Sequence, residues 1–345
     1  MGEYDYLNAR VRAMGAQLLH NEFFEQILSL DSEDLPMDAL LASSYGPVLR
    51  EALTEQAGIT AIEWALRRDL ASSFSRVRAM APPGVRALLD TQFARWDLQN
   101  ILAVLRGIEA RARPREISSA LLPAGAFPEA QLAELAQSPD PISLARKLAT
   151  WNYLFAFELH DALLDRRAPP FDLFEAERRL YGAYYRWALS FDDPVIRSLL
   201  QEQVDLANIK AALDLIRHRD PKQPVEPSKP IPGGRLSGRF LSRLVSSATL
   251  EEAFGVLDES YFASGIEKGI LAYGESRSLG VMERFLEEMV IQAGCRLYRQ
   301  DLLSIAVPVG YLWKKHNETV NLRALCRGRS ARMPANAIRK ELLLV

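Results

Sequence analysis

Apolar residues recur every three to four positions along most of the chain, the period of one face of an α-helix. Leu88, Leu89, Trp96, Ile101, Leu105 and Ile108 form such a stripe. No stretch sustains a two-residue apolar and polar alternation with β-branched enrichment, so the pattern predicts helices and no sheet. Leu, Ala, Glu and Arg, which are good helix formers, dominate. The helix boundaries are marked by their own chemistry. Pro128, Pro141 and Pro194 each stand where a first helical residue belongs, with Asp140 and Asp193 as N-caps. Thr249 to Glu252 reads as a capping box, and Pro82-Pro83-Gly84 separates two long helices. The predicted fold class is all-α.

Two segments interrupt the periodicity. Arg113 to Pro128 carries three prolines and a glycine. Asp220 to Gly234 carries five prolines and two glycines, with too few large apolar residues to pack, and reads as extended polyproline-like chain. These linkers divide the chain into three pieces, 1–115, 116–228 and 229–345, expected to be three helical modules.

The same polar motif ends each piece. An acid stands three positions before an Asn, and an aliphatic residue follows: Asp97, Asn100 and Ile101; Asp205, Asn208 and Ile209; Glu318, Asn321 and Leu322. The first copy continues to Leu105-Arg106-Gly107, Pro114 and Ile117, and the third to Leu325, Arg327-Gly328, Pro334 and Ile338. The second copy has Asp214 and Leu215 where the others have Arg and Gly. The asparagines are 108 and 113 residues apart, and Tyr45, Tyr153 and Tyr261 repeat at 108. Recurrence at such a period signals an architecture built by repetition. An acid and an Asn three apart share one helix face. Asn is a poor mid-helix residue, so its use in all three pieces calls for a specific hydrogen-bond partner. Two readings stand: each Asn ties its helix to neighbouring backbone with the carboxylate orienting it, or the three pairs form a polar cluster where something binds.

Length and composition exclude several classes. The 345 residues, 48% hydrophobic and 25% charged, describe a folded chain of two or three domains. A net charge of −2 does not point to nucleic acid or an anionic membrane surface. The charge is uneven: Glu22 to Glu63 holds nine acids and one base, whereas Tyr311 to the end holds eight bases and two acids. Solvated helix faces account for this, as would ends that meet different partners. The two cysteines, Cys295 and Cys326, build no disulfide framework and are expected to be reduced thiols. The N-terminus lacks the apolar core of a signal peptide. The longest apolar run, Leu302 to Trp313, is too short to span a bilayer and is interrupted by Pro308 and Gly310.

Catalytic motifs are missing from the sequence. It has no P-loop, no GxGxxG after a strand, no HExxH and no GxSxG. His20, His160, His218 and His316 are scattered. Asp192-Asp193 resembles an aspartate-rich magnesium motif only until Pro194 and Arg197 are read, which make it a helix start. No catalytic, cofactor-binding or metal-ligating residue, and no cofactor, is expected. Asp97, Asn100, Asp205, Asn208, Glu318 and Asn321 are the candidate signature residues, expected to act structurally.

Together, the start Tyr4-Asp-Tyr6-Leu7-Asn8-Ala9-Arg10-Val11-Arg12, the Asp97…Asn100 and Asp205…Asn208 helices, and the ending Glu318…Asn321-Leu322-Arg323…Arg327-Gly328…Pro334…Ile338-Arg339…Leu342 resemble the C subunit of archaeal and bacterial A/V-type rotary ATPases, the counterpart of the eukaryotic V-ATPase d subunit. The resemblance covers essentially the whole chain. It implies three similar helical modules around a pseudo-three-fold axis, forming a funnel. It implies a non-catalytic rotor subunit on the cytoplasmic face of the membrane, held there peripherally through the complex. Its implied partners are the central-shaft subunits, the membrane rotor ring and, on disassembly, the soluble arm of the stator membrane subunit, with no direct nucleotide or nucleic acid. The alternatives are a helical-repeat interaction scaffold, against which the long period speaks, and an all-helical enzyme.

Overall fold

Helix signals in the sequence become helices in the computed structural model, which describes residues 3–30, 34–164, 172–219 and 229–345. The described residues hold α-helices and one short 3₁₀ turn, with no strand. The chain divides into two compact units, Met1–Asp140 with Gly294–Val345, and Pro141–Ala293.

The first unit opens with α1 (Asp5–Gly15), α2 (Asn21–Ser29), α3 (Met37–Ala42) and α4 (Gly46–Ala52). Two long helices follow, α5 (Gly58–Met80) and α6 (Pro83–Glu109), then α7 (Pro114–Ala120) and α8 (Glu129–Ala136). The second unit contains α9 (Pro141–Thr150), α10 (Ala156–Leu164), α11 (Leu173–Ala188), α12 (Pro194–Arg217), α13 (Gly238–Ser246), α14 (Leu250–Leu257) and α15 (Ala263–Ser276), and most of α16 (Leu279–Arg296). The chain then completes the first unit with a 3₁₀ turn (Leu297–Arg299), α17 (Ala306–Ser330) and α18 (Ala335–Glu341).

The caps explain where many of these helices start. Asp193 accepts from the Val195 and Ile196 amides at 3.0 and 2.9 Å, with Pro194 in the first turn. Asp172 and Ser237 cap α11 and α13. Thr249 accepts from the Glu252 amide at 3.2 Å, and the Glu252 carboxylate reaches one residue past the expected partner, to the Ala248 amide at 2.8 Å. Pro128 is the N-cap of α8 and not its first helical residue. The Arg113–Pro128 linker contains a helix, α7, because Pro114 is pre-set for a first turn and Glu116 accepts from the Arg113 amide at 2.9 Å. Of the second linker, residues 220–228 lie outside the described residues.

The core of the first unit forms around α17, which is buried on nearly all sides and packs on α5, α1, the 3₁₀ turn and α18. Phe24, Leu40, Tyr45 and Leu49 from the beginning of the chain meet Leu322, Leu325, Cys326 and Ile338 from its end. Trp96 of α6 lies 6.4 Å from Trp313, centroid to centroid, and Trp313 donates to Gln92 at 3.2 Å. In the second unit Phe155 meets Tyr184 and Trp187 edge-on at 6.2 and 6.0 Å. The buried Ile196, Leu200, Ile209 and Leu213 of α12 complete that core.

The ends of α6 and α17 are copies of one another. Both close with a left-handed Arg, Arg111 at φ 53° and Arg332 at φ 54°. The next amide bonds back to a glycine carbonyl, Ala112 to Gly107 and Met333 to Gly328, both at 2.9 Å. A following helix then drops an isoleucine onto that glycine. A Cβ on Gly107 would stand 2.6 Å from Ile117 Cγ1, and one on Gly328 would stand 2.6 Å from Ile338 Cγ1. Ile338→Ala is therefore expected to cost about 2–5 kcal/mol through the cavity it leaves, and Gly328→Ala about 1–3 kcal/mol through overpacking. In urea unfolding the double variant should lose less than the sum of the two, because the new methyl occupies the vacated space.

Candidate functional site

The six signature residues sit on three long helices, α6, α12 and α17, and each side chain is buried. Every signature Asn meets a single main-chain residue 22 or 23 positions later, in the segment beyond its helix. Asn100 donates to the Leu122 carbonyl at 2.7 Å and accepts from the Leu122 amide at 2.8 Å. Asn208 makes both bonds with Ile231 at 2.8 Å. Asn321 donates to the Leu343 carbonyl at 2.8 Å and accepts from its amide at 3.0 Å. Asn317 also donates to Leu343 at 2.8 Å. A carboxamide presents one donor and one acceptor in a plane, as an extended peptide does, so it completes a residue that has no strand partner.

The acids bind two successive amides a few residues further on. Asp97 accepts from Ala126 at 2.7 Å and Phe127 at 3.2 Å. Asp205 accepts from Arg235 at 2.8 Å and Leu236 at 3.2 Å, and from the Tyr261 hydroxyl at 2.8 Å. In both cases a glycine precedes the donors. A Cβ on Gly125 would stand 1.9 Å from Asp97 Oδ1, and one on Gly234 would stand 1.9 Å from Asp205 Oδ1. Only a residue without a side chain lets the carboxylate approach its own following amides this closely. These glycines lie 28 and 29 residues after their acids, a register that aligning the first two copies would have exposed.

Glu318 departs from this pattern. Its partners lie at the beginning of the chain: the Leu19 amide at 2.5 Å and the Tyr45 hydroxyl at 2.6 Å. The extra methylene of Glu extends the reach to a segment that has no matching glycine. Lys315, one turn earlier, donates to Glu318 at 2.7 Å and to Tyr45 at 2.9 Å, and forms an ion pair with Asp69 at 2.7 Å. Burial alone would lower the Lys315 pKa, but the Tyr45 oxygen with the Glu318 and Asp69 carboxylates outweighs it, and the group is held well above its ordinary value. Burial, then Glu318, pushes Tyr45 up. Sequence reading missed Lys315 and Asp69; the i, i+3 spacing of Lys315 and Glu318 was the available signal. Tyr153 stands at the start of α10, its ring edge-on to Phe155 at 5.7 Å.

Burial raises Asp97 to about 7 against the pull of the Ala126 and Phe127 amides. Asp205 is raised for the same first reason, with Tyr261 and the Arg235 and Leu236 amides opposing. Both cysteines are free, and burial pushes each thiol up to about 12. The described residues bring no three His, Cys, Asp or Glu together as metal ligands. The uneven charge at the two ends is partly internal pairing: Arg327 meets Glu63 at 2.6 Å, Arg339 meets Glu25, and Arg329 donates to the Ile27 carbonyl at 2.6 Å.

A family model described as ATP synthase (C/AC39) subunit matches residues 7–341. The chain belongs to that family. It is 25% identical over 341 residues to the C subunit of a V-type ATP synthase of Deinococcus radiodurans, covering 99% of this chain and 91% of the relative. It is also 25% identical to the C subunit of an A-type ATP synthase of Halorubrum lacusprofundi, covering 99% and 97%. The identity is 22% to the corresponding A-type C subunit of Methanocaldococcus jannaschii, covering 99% and 87%. As a member of the C/AC39 family, the chain is a non-catalytic subunit of a V/A-type ATP synthase complex. No helix among the described residues is long and apolar enough to cross a membrane.

Asn100→Ala, Asn208→Ala and Asn321→Ala should each lower the unfolding free energy by about 1–3 kcal/mol, since each strands a buried amide and carbonyl. Chemical denaturation checks this. Asp97→Asn should change the pH dependence of stability. Between about 4 and about 7 the folded chain keeps a proton on Asp97 that the unfolded chain releases. The wild type therefore loses stability relative to the variant as pH rises through that window, and the difference levels off above it. His316, pushed down to about 3 by burial and then by Arg95 and Arg323, acts in the opposite sense below about 6.5, but equally in both proteins.

Proposed function

We propose that the chain is the rotor subunit that couples the central shaft of a V/A-type ATP synthase to its membrane ring. It transmits torque between them and does no chemistry of its own. The observation that carries this reading is the complete internal use of its polar signature. The three acids and three asparagines spend their hydrogen bonds on the chain's own backbone, on buried Tyr45 and Lys315, or on Tyr261. A coupler works through stiffness and contact area, and a network of this kind stiffens without offering a reactive group. In this reading the six signature residues are structural.

The proposed architecture is three similar modules, 1–115, 116–228 and 229–345, around a pseudo-three-fold axis, with an open centre that receives the shaft. In support, the second acid bonds Tyr261 and the third bonds Tyr45, equivalent tyrosines of the repeat, and the third acid thereby joins the end of the chain to its beginning. The proposed partners are the shaft subunits and the ring, with the soluble arm of the stator subunit as a further contact on disassembly. The proposed location is the cytoplasmic face of the membrane.

Reconstitution separates this from a free interaction scaffold. Membranes stripped of the chain should regain ATP-driven ion pumping when it is added back, and the chain should be retained with both shaft and ring on mild extraction. Failure to associate with either, when both are intact, would falsify the coupling role.

A further inference from the structure

The polar signature is satisfied throughout, but Arg323, two residues after Asn321, is not. It lines an open cleft of about 480 Å³ formed within the first unit by α5, α7, α8 and α17. Its Nε is shut off from solvent and has no hydrogen-bond partner. Glu63, the acid that most favours its charge, is held by Arg327 at 2.6 Å. Burial, with the like charges of Arg327 and Arg67, pulls its pKa below the usual guanidinium value. A half-buried cation with a missing partner and cationic neighbours lowers stability. Such a cost is characteristic of groups that serve binding.

The walls define what would fit. Arg67 is fixed by the Ser118 carbonyl at 2.9 Å and by Glu129 at 3.3 Å, and Arg115 is exposed at the rim. The lining carries three guanidinia and two carboxylates, but Glu63 is paired with Arg327 from outside the lining and Glu129 with Arg67, so the charges of Arg323 and Arg115 are left over. Two carboxylates along one acidic segment neutralise them. The cleft is far larger than a carboxylate and is open to solvent, and Trp64 and Pro114 provide an apolar wall beside the guanidinia. This suits an acid delivered on a larger body, with its methylenes against the wall.

We infer that this cleft is a docking site for an acidic segment of a partner protein, in which glutamate or aspartate carboxylates pair with Arg323 and Arg115. The terminal nitrogens of Arg323, not its enclosed Nε, bind one carboxylate in two-point fashion, with the Thr60 and Ser118 hydroxyls as further lining donors. The inference is independent of the coupling role, because it concerns a surface of the isolated chain.

Titration calorimetry of the full chain with acetylated, amidated hexaglutamate tests it, against inorganic phosphate and sodium chloride at equal ionic strength. The peptide should bind saturably and raise Tm, with phosphate no better than chloride. Arg323→Gln and Arg115→Gln should each weaken the peptide about tenfold or more. Arg323→Gln should leave Tm unchanged or higher, because it removes a desolvated, repelled charge. A peptide response no greater than that of chloride overturns the proposal. So does saturation by phosphate at lower concentration than peptide. Wild-type binding by Arg323→Gln, with a lowered Tm, assigns the residue to the fold and also overturns it. Each result reads on this cleft alone and leaves the reconstitution outcome unaffected.

Discussion

A side-chain amide bonded to both the N–H and the C=O of one residue is the interaction on which this structure depends. After each long helix carrying the signature, the chain leaves helical geometry and yet stays covered by other elements. Buried backbone there has no ladder to join, and each orphaned group would cost on the order of 1–3 kcal/mol. Asn100, Asn208 and Asn321 replace the missing strand for one residue each, at Leu122, Ile231 and Leu343. In the first two copies the acid three residues earlier does the same for the next two exposed amides, and a glycine makes room for it. The acid and the amide thus determine where the chain goes after its helix.

The third copy shows what the same device becomes at the end of the chain. Here the acid, Glu318, reaches back to Leu19 and Tyr45. Lys315 and Asp69 join it in a cluster in which the ammonium donates to Glu318 and Tyr45 and forms an ion pair with Asp69. Desolvating these charges is costly, and the compensation is positional: the cluster is satisfied only when α17, α4 and α5 are in register. Around it, Arg327, Arg329 and Arg339 of the basic end pair with Glu63, the Ile27 carbonyl and Glu25 of the acidic beginning. Much of the charge asymmetry along the sequence is therefore used in joining the two ends of one unit.

For a subunit of a rotary ATP synthase, this economy has a functional sense. In the coupling role proposed above, a part that carries load between other parts gains from polar groups that rigidify it and has no need of poised acids or nucleophiles. Arg323 stands apart for the opposite reason. It is next to the signature, half-buried, and lacks the partner that its neighbours have. A residue that breaks the local rule of satisfaction is where binding is to be sought.

The sequence by itself determined the helical class, several helix starts and the existence of a repeated acid and Asn motif. These depend on local periodicity, caps and spacing, which are written along the chain. Family membership was legible for the same reason, in short motifs at both ends. The partners of the motif were not legible. Leu122, Ile231 and Leu343 contribute only backbone, and backbone has no residue identity to read. Helix α7 was hidden because its proline, read as a breaker, serves as a first turn. The use of Glu in place of Asp, the Lys315 cluster and the unpartnered Nε of Arg323 depend on segments hundreds of residues apart meeting within hydrogen-bond distance, or failing to. Only tertiary packing decides such encounters, because distance in space at that scale is not encoded in any local pattern.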